Sequence, residues 1–329
     1  MRTLIVGFVM LLASKSFGQD PVFTQFYNVP ETLNPSFAAV DGSTKVNIAH
    51  RSQWSGLNYN LSSQFANFNT YVDDINSGFG ISMLNLLETH TRYRFSQATL
   101  NYAYRVELAE DWVFIPSLSF GFGNKDFSFD SLLLEDQIDI PNRTIHIGSV
   151  DPILLNTTTN FFDFSVGGLV MNDRFWLGIG ARHLNSPNIA FEFNKNQALA
   201  IFFSAHAGYN YELDNLFYNW EESRLRVMAN FMSQAVYKRL DVGTEIELSN
   251  GFTMGAILAT TPIKYNEQSH TLNSLNITAG FVWDNIKVGY SYDVNLSELM
   301  GTHGVHEITV TYTFHSIFNS SFGCWRCKK

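Results

Sequence analysis

Cys324 and Cys327 are the only cysteines among 329 residues, and their two-residue spacing is that of a redox pair or half a metal site. Both lie in the last six residues. A structural zinc site takes four ligands and no second pair is present. The spacing therefore reads as a disulfide or as two free thiols in an exposed tail, and an oxidising compartment permits the bond. His183, His206 and His306 lack metal-ligand spacing. No GxSxG, HExxH or P-loop pattern occurs, so neither catalysis nor a cofactor is expected. The remaining charged candidates are Arg105, Asp163, Arg182, Arg226, Glu245, Glu247 and Asp293. Standing among small polar residues, they suit structural ion pairing better than acid–base work.

The elements that carry these charges alternate strictly. Ala98, Leu100, Tyr102, Tyr104 and Val106 share one face of a strand, with Thr99, Asn101, Ala103 and Arg105 opposite. After a turn the phase resumes with Phe114, Leu118, Phe120 and Phe122 against Ser117, Ser119, Gly121 and Gly123. Phe162, Phe164 and Val166 oppose Asp163, Ser165 and Gly167. Val242 and Ile246 oppose Asp241, Gly243, Glu245 and Glu247, and Val288, Tyr290 and Val294 oppose Lys287, Ser291 and Asp293. A soluble sandwich would give its second face to bulk water and fill it with Lys and Glu. Here that face is Gly, Ser, Thr and Asn with scattered charges, which fits the packed polar interior of a closed barrel. A large secreted sandwich is the competing reading.

Composition agrees. Aromatic residues make up 15% of the chain, with 29 Phe and 14 Tyr, while charged residues are 16% against about 25% in a typical soluble domain. Mean hydropathy is near zero. Arg2 followed by the apolar run Leu4–Ala13 and the small residues Ser16 and Gly18 is a secretory leader, too short to span a bilayer as a helix. A retained anchor is the alternative. Cleavage before Gln19 removes Arg2 and Lys15 and takes the net charge from −9 to −11, which argues against a nucleic-acid partner.

About 14 strands are expected in a single all-β, transmembrane antiparallel β-barrel. They start near Lys45, Leu61, Ser77, Tyr93, Trp112, Phe161, Phe175, Gln197, Arg224, Tyr237, Phe252, Leu272, Ile286 and His306. Connectors alternate between short (73–76, 108–111, 171–174, 249–251, 284–285) and mostly longer (52–60, 124–160, 185–196, 261–271, 296–305). Short turns face the periplasm and long loops the outside, which puts both chain ends on the periplasmic side. The long connector 212–223 breaks the rule. Trp54, Trp112, Trp176, Trp220 and Trp283 fall near strand ends, as aromatic girdles do. The chain divides into a signal peptide (1–18), an aromatic and proline-rich segment (19–41), an outer-membrane barrel (42–316) and a periplasmic tail (317–329).

The segment after the leader is unlike a strand. Pro21, Pro30 and Pro35 block ladder pairing, while Phe23, Phe26, Tyr27 and Phe37 need burial. It is expected to plug the lumen or the periplasmic mouth, the alternative being a floppy leader. The last strand carries Ile308, Val310, Tyr312 and Phe314 on one face, an aromatic-ended closing strand.

Gln19-Asp20-Pro21-Val22-Phe23-Thr24-Gln25-Phe26-Tyr27, followed by Leu33-Asn34-Pro35-Ser36-Phe37-Ala38-Ala39, resembles the mature N-terminus of the PorP/SprF family, approximately QDPxFSQFY…LNPAFAG. Thr24 replaces the usual Ser, Ser36 replaces Ala and Ala39 replaces Gly. Arg51-Ser52-Gln53-Trp54 resembles the family's RxQW, and His306–Phe314 resembles its closing HEISLSYxF. The tail departs from the common Cys-Pro-Arg-aromatic ending. The resemblance covers the mature chain and implies an outer-membrane component of the type IX secretion system. Its implied role is to help secrete and attach at the surface an adhesin with a type B C-terminal targeting domain. Implied partners are that adhesin, the translocon or periplasmic ring, and outer-membrane lipid. The alternative function is an outer-membrane transport channel for small or lipidic substrates.

Overall fold

The structure is a computed structural model that describes residues 19–40, 42–56, 60–108, 111–127, 133–146, 148–149, 157–191, 195–213, 223–262, 272–296 and 303–314. The expected leader (1–18), Trp220, Cys324 and Cys327 lie outside the described residues.

Alternating sequence becomes strand throughout. The barrel strands are β1 (Thr44–Gln53), β2 (Leu61–Val72), β3 (Ser77–Glu88), β4 (Arg94–Tyr104), β5 (Val113–Asp126), β6 (Thr158–Met171) and β7 (Phe175–Arg182). They continue with β8 (Phe202–Glu212), β9 (Arg224–Gln234), β10 (Tyr237–Glu247), β11 (Phe252–Thr260), β12 (Leu272–Trp283), β13 (Ile286–Asn295) and β14 (Val305–Phe314). The sheet has 15 members, of which one is the two-residue extension Val106–Glu107, leaving 14. Each strand pairs antiparallel with its neighbours in sequence. β1 also pairs with β14 in a ladder from Thr44↔Phe314 to Gln53↔Val305, so the sheet closes. Closure removes every edge, the condition for a sheet to cross lipid.

The pleat sorts residues as the alternation requires. Leu100 is 57% exposed and Leu118 55%, whereas their chain neighbours Asn101 and Ser119 are 7% and 5% exposed. Phe120, Phe164, Val288 and Tyr290 also point outward. An apolar belt running round the whole wall far exceeds the few hundred Å² of contiguous apolar surface that a soluble protein tolerates. Lipid is the solvent that suits it.

The connectors at one end are 73–76, 105–112, 172–174, 248–251 and 284–285, with 213–223 the long exception. At the other end lie 54–60, 89–93, 127–157, 183–201, 261–271 and 296–304, the two-residue turn Ala235–Val236 being the shortest there. Three expectations shift. The strand expected from Phe161 begins at Thr158, because residues 158–160 continue the ladder opposite Asn124–Asp126. The strand expected from Gln197 begins at Phe202, because the connection before it folds into the barrel and buries Ile189 and Leu199 beside Phe23 and Phe65. Trp176 faces the lumen rather than lipid and packs with Phe26 and Leu33.

Candidate functional site

Residues 19–40 occupy the interior. Proline at the first position of two short 3-10 turns, Pro30–Thr32 and Pro35–Ala39, fixes φ where an N–H would be unpaired anyway. The Asn34 side chain caps the second turn by accepting from the Ser36 N–H at 2.9 Å. The segment buries Phe23, Phe26, Val29, Leu33, Ala38 and Ala39 in three apolar clusters shared with inward residues of the wall. It runs along the axis. Asp20 meets Arg182, His183 and Gln234 at the long-loop end, and the Val40 carbonyl accepts from Arg105 at the short-turn end. The start of the described chain therefore lies at the mouth opposite the one expected from the entry into β1. The chain must run through the lumen before it doubles back into the first strand.

Glycines on the wall make room for this path. A Cβ at Gly167 would lie 2.0 Å from Asn34 Oδ1, at Gly180 2.3 Å from the Leu33 carbonyl, at Gly289 2.2 Å from Gln25 Oε1 and at Gly78 2.4 Å from the Ala38 carbonyl. At Gly180 and Gly78 the atom met is a backbone carbonyl that cannot move aside, so the close approach there requires glycine.

Three polar clusters hold the segment. At the seam, Glu307 accepts from the backbone amides of Thr24 and Gln25, both at 2.8 Å. Arg51, directly opposite Glu307 in the β1–β14 register, pairs with it at 2.9 Å and with Asp293 at 2.8 Å, and donates to the Thr24 hydroxyl. The Thr24 hydroxyl in turn donates to Asp293 at 2.7 Å. Three short motifs, one in residues 19–27, one in the first strand and one in the last, thus meet in one buried cluster. At the long-loop mouth, Asp20 pairs with Arg182 at 2.5 Å and His183 Nε2 at 2.8 Å, while His183 Nδ1 lies 3.0 Å from Asp163. Burial alone would raise the Asp20 carboxyl; His183 and Arg182 outweigh it and hold the group well below the usual carboxylate range. Burial would likewise lower His183, but Asp20 and Asp163 raise it to about 9. Farther along the segment, the Asn34 amide donates to the carbonyls of Gly168 (3.1 Å) and Ile179 (3.0 Å), and Ser204 donates to the Leu33 carbonyl at 2.8 Å.

Of the charged residues singled out in the sequence, Asp163 and Arg182 join the Asp20 cluster. Arg226 pairs with Glu245, as does Lys287, and Asp293 joins Arg51. Asp20, Gln25 and Asn34 make polar contacts; Phe23 and Phe26 are buried, and Phe37 packs on His206 at 5.1 Å between ring centres. Ile308, Val310 and Tyr312 point outward. Sequence reasoning misses Arg51 and Glu307 as a pair. The signal that could find them is the phase of the closing strand, which puts Glu307 on the inward face. No group of three or more His, Cys, Asp or Glu among the described residues is placed to hold a metal.

Residues 15–312 match the sequence profile of the type IX secretion system membrane protein PorP/SprF family. The chain belongs to this family. As a PorP/SprF protein with a closed barrel, it is an outer-membrane component of that secretion system. Among solved structures it is similar to the outer membrane protein Omp33 of Acinetobacter baumannii, with 8% identity and a TM-score of 0.46 over 83% of this chain and 100% of that one. It is also similar to CdiB from Acinetobacter baumannii, with 8% identity and a TM-score of 0.45 over 83% of this chain and 60% of that one. A mutant Rh. blastica porin aligns at 10% identity with a TM-score of 0.34, over 83% and 99% of the two chains. No curated protein sequence matches the chain.

Proposed function

We propose that this PorP/SprF protein helps to secrete a partner adhesin carrying a type B C-terminal targeting domain and to attach it at the cell surface. In this reading the chain is exported by a leader cleaved before Gln19, residues 19–41 plug the barrel, and the long loops face outward. The observation that carries it is the hairpin Ile138–Asp139/Thr144–Ile145 in the longest connector. Leu133, Ile138, Ile140 and Ile145 are exposed there, Ile140 at 79%, beside Glu135, Asp136 and Asp139. Apolar side chains gathered on a polar loop outside the lipid belt mark a surface that a protein covers. A transport channel for small or lipidic substrates would want an open path, and the burial of Phe23, Phe26 and Leu33 in the lumen argues against it.

The experiment is complementation of a deletion strain with the wild type or with Ile138→Lys/Ile140→Lys/Ile145→Lys, read by quantitative analysis of surface proteins. The reading expects a surface protein with a C-terminal targeting domain to be lost in the deletion, restored by the wild type and not by the variant, with equal barrel levels. An unchanged surface in the deletion strain would sink it.

A further inference from the structure

The bonding of residues 19–40 is that of a ligand rather than of a structural strand. Every backbone-to-backbone hydrogen bond of the described segment is internal to it, from Asn28 N–H to the Gln25 carbonyl through Val40 N–H to the Phe37 carbonyl. The wall meanwhile pairs all 14 strands among themselves without it. Contact between the two runs through side chains that read the segment's main chain. Gln234 accepts from Asp20 N–H, Glu307 accepts from Thr24 and Gln25 N–H, and Ser204 and Arg105 donate to the carbonyls of Leu33 and Val40. Removing the segment costs the sheet no ladder bond, so the barrel keeps its own hydrogen-bonded closure.

The fit is also incomplete. Asn230 and Asn276 face the lumen fully buried, with both amide atoms unpaired by protein. A cavity of about 30 Å³ is lined by Pro21, Phe23 and Glu31 of the segment and by Gln97, Asn101 and Asp163 of the wall.

We infer that the lumen is a peptide-binding channel whose resident occupant is the chain's own segment. In its place the channel takes a turn-rich polypeptide stretch of the same chemistry: aromatic side chains ahead of a buried Asn-Pro turn. The glycine path fixes the class. At Gly180 and Gly78 the wall admits the main-chain carbonyls of Leu33 and Ala38 at a distance that excludes a Cβ, and at Gly167 and Gly289 it admits the side-chain amides of Asn34 and Gln25, so the site is shaped for a polypeptide and not for a compact metabolite. The path also reaches from the long-loop mouth to the short-turn mouth, as a conduit for a threaded chain would. This inference rests on the secretion reading for its biological occupant, but its physical content does not.

The tether from Val40 to β1 is three residues (41–43), so the segment competes in cis at an effective concentration on the order of mM. A trans peptide must be given an opening. The full chain carrying Asp20→Lys and Asn34→Ala weakens the segment at two of its three polar anchors and leaves the wall intact. A fluorescent synthetic peptide of the sequence Asp20–Val40 is titrated against it in detergent by anisotropy, with a scrambled peptide as control. Barrel folding is checked by heat-dependent gel mobility. The apparent affinity is expected to rise about tenfold or more over the wild type, following the larger fraction of open channel. Adding Gly180→Leu, which fills the space of the Leu33 carbonyl, is expected to abolish it. Asp20→Lys alone, outside every strand, serves if the double variant does not fold. No binding to a folded, segment-weakened barrel would overturn the inference, and so would binding that survives Gly180→Leu or does not distinguish the scrambled peptide. A cell that displays its surface proteins without this barrel would defeat the proposed function and leave this result standing.

Discussion

Arg51→Met tests the seam cluster. Arg51 is 4% exposed and carries two ion pairs, at 2.8 Å to Asp293 and 2.9 Å to Glu307, plus a hydrogen bond to Thr24. Methionine keeps much of the stem volume but leaves two buried carboxylates without the cation between them. Breaking a buried pair on one side costs about 3–5 kcal/mol. The lower end applies here, because Glu307 still accepts from two backbone amides. Glu307→Gln keeps an acceptor for one of those two amides and leaves Arg51 with Asp293, so its expected cost is smaller, about 1.5–3 kcal/mol. The double variant should cost less than the two singles together, with a coupling between about 0.5 and 3 kcal/mol. Guanidinium unfolding of the purified barrel, followed by tryptophan fluorescence, measures all three. An Arg51→Met barrel within about 0.5 kcal/mol of the wild type, or strict additivity, would refute the claim that this triad ties the first strand, the last strand and the segment together.

Two further outcomes follow from the same geometry. Leu100→Arg puts a charge on the lipid face at a cost of about 2–4 kcal/mol near the midplane and should impair assembly more than Asn101→Arg; outer-membrane levels of the two variants compare them, and equal levels would mean the faces are misassigned. The Asp20–His183 pair makes stability depend on pH. With His183 raised to about 9, its contribution is full below the ordinary histidine range and is lost as pH rises through about 9; with Asp20 depressed, its own contribution persists until strong acid. Denaturant stability should therefore fall between pH 7 and pH 10 by on the order of 2 kcal/mol in the wild type, and much less in His183→Gln.

The strands are legible because a period of two sustained over ten residues belongs to a half-buried strand and to little else. The starts at Leu61, Ser77, Phe175, Arg224, Tyr237, Phe252, Leu272 and Ile286 coincide with the structure. The closing of β1 on β14 follows from an even strand number and from both barrel ends reading as strands. The connection 183–201 misleads at Gln197 because buried Leu199 mimics an alternating strand residue. Trp176 misleads because proximity to a strand end says nothing about which side of the wall a ring takes. The interior site is harder to read. Proline and aromatic content in residues 20–37 indicates a need for burial, but not the direction of travel through the lumen. The glycines at 167, 180 and 289 look like ordinary small lumen residues, and only the packed segment shows what each one excludes. Glu307 is readable from strand phase, whereas Arg51 needs the seam register to give it a partner.

The arrangement of segment and loops can be tested in intact cells. A cysteine inserted between Gln19 and Asp20, in a chain carrying Cys324→Ser and Cys327→Ser, is treated with a membrane-impermeant maleimide; Ser249→Cys, in a short turn at the opposite end, is treated in parallel. The inserted cysteine is expected to be labelled on intact cells, and Ser249→Cys only after the outer membrane is permeabilised. Protection of the inserted cysteine, with labelling of Ser249→Cys from outside, would contradict the orientation and the path of the segment together.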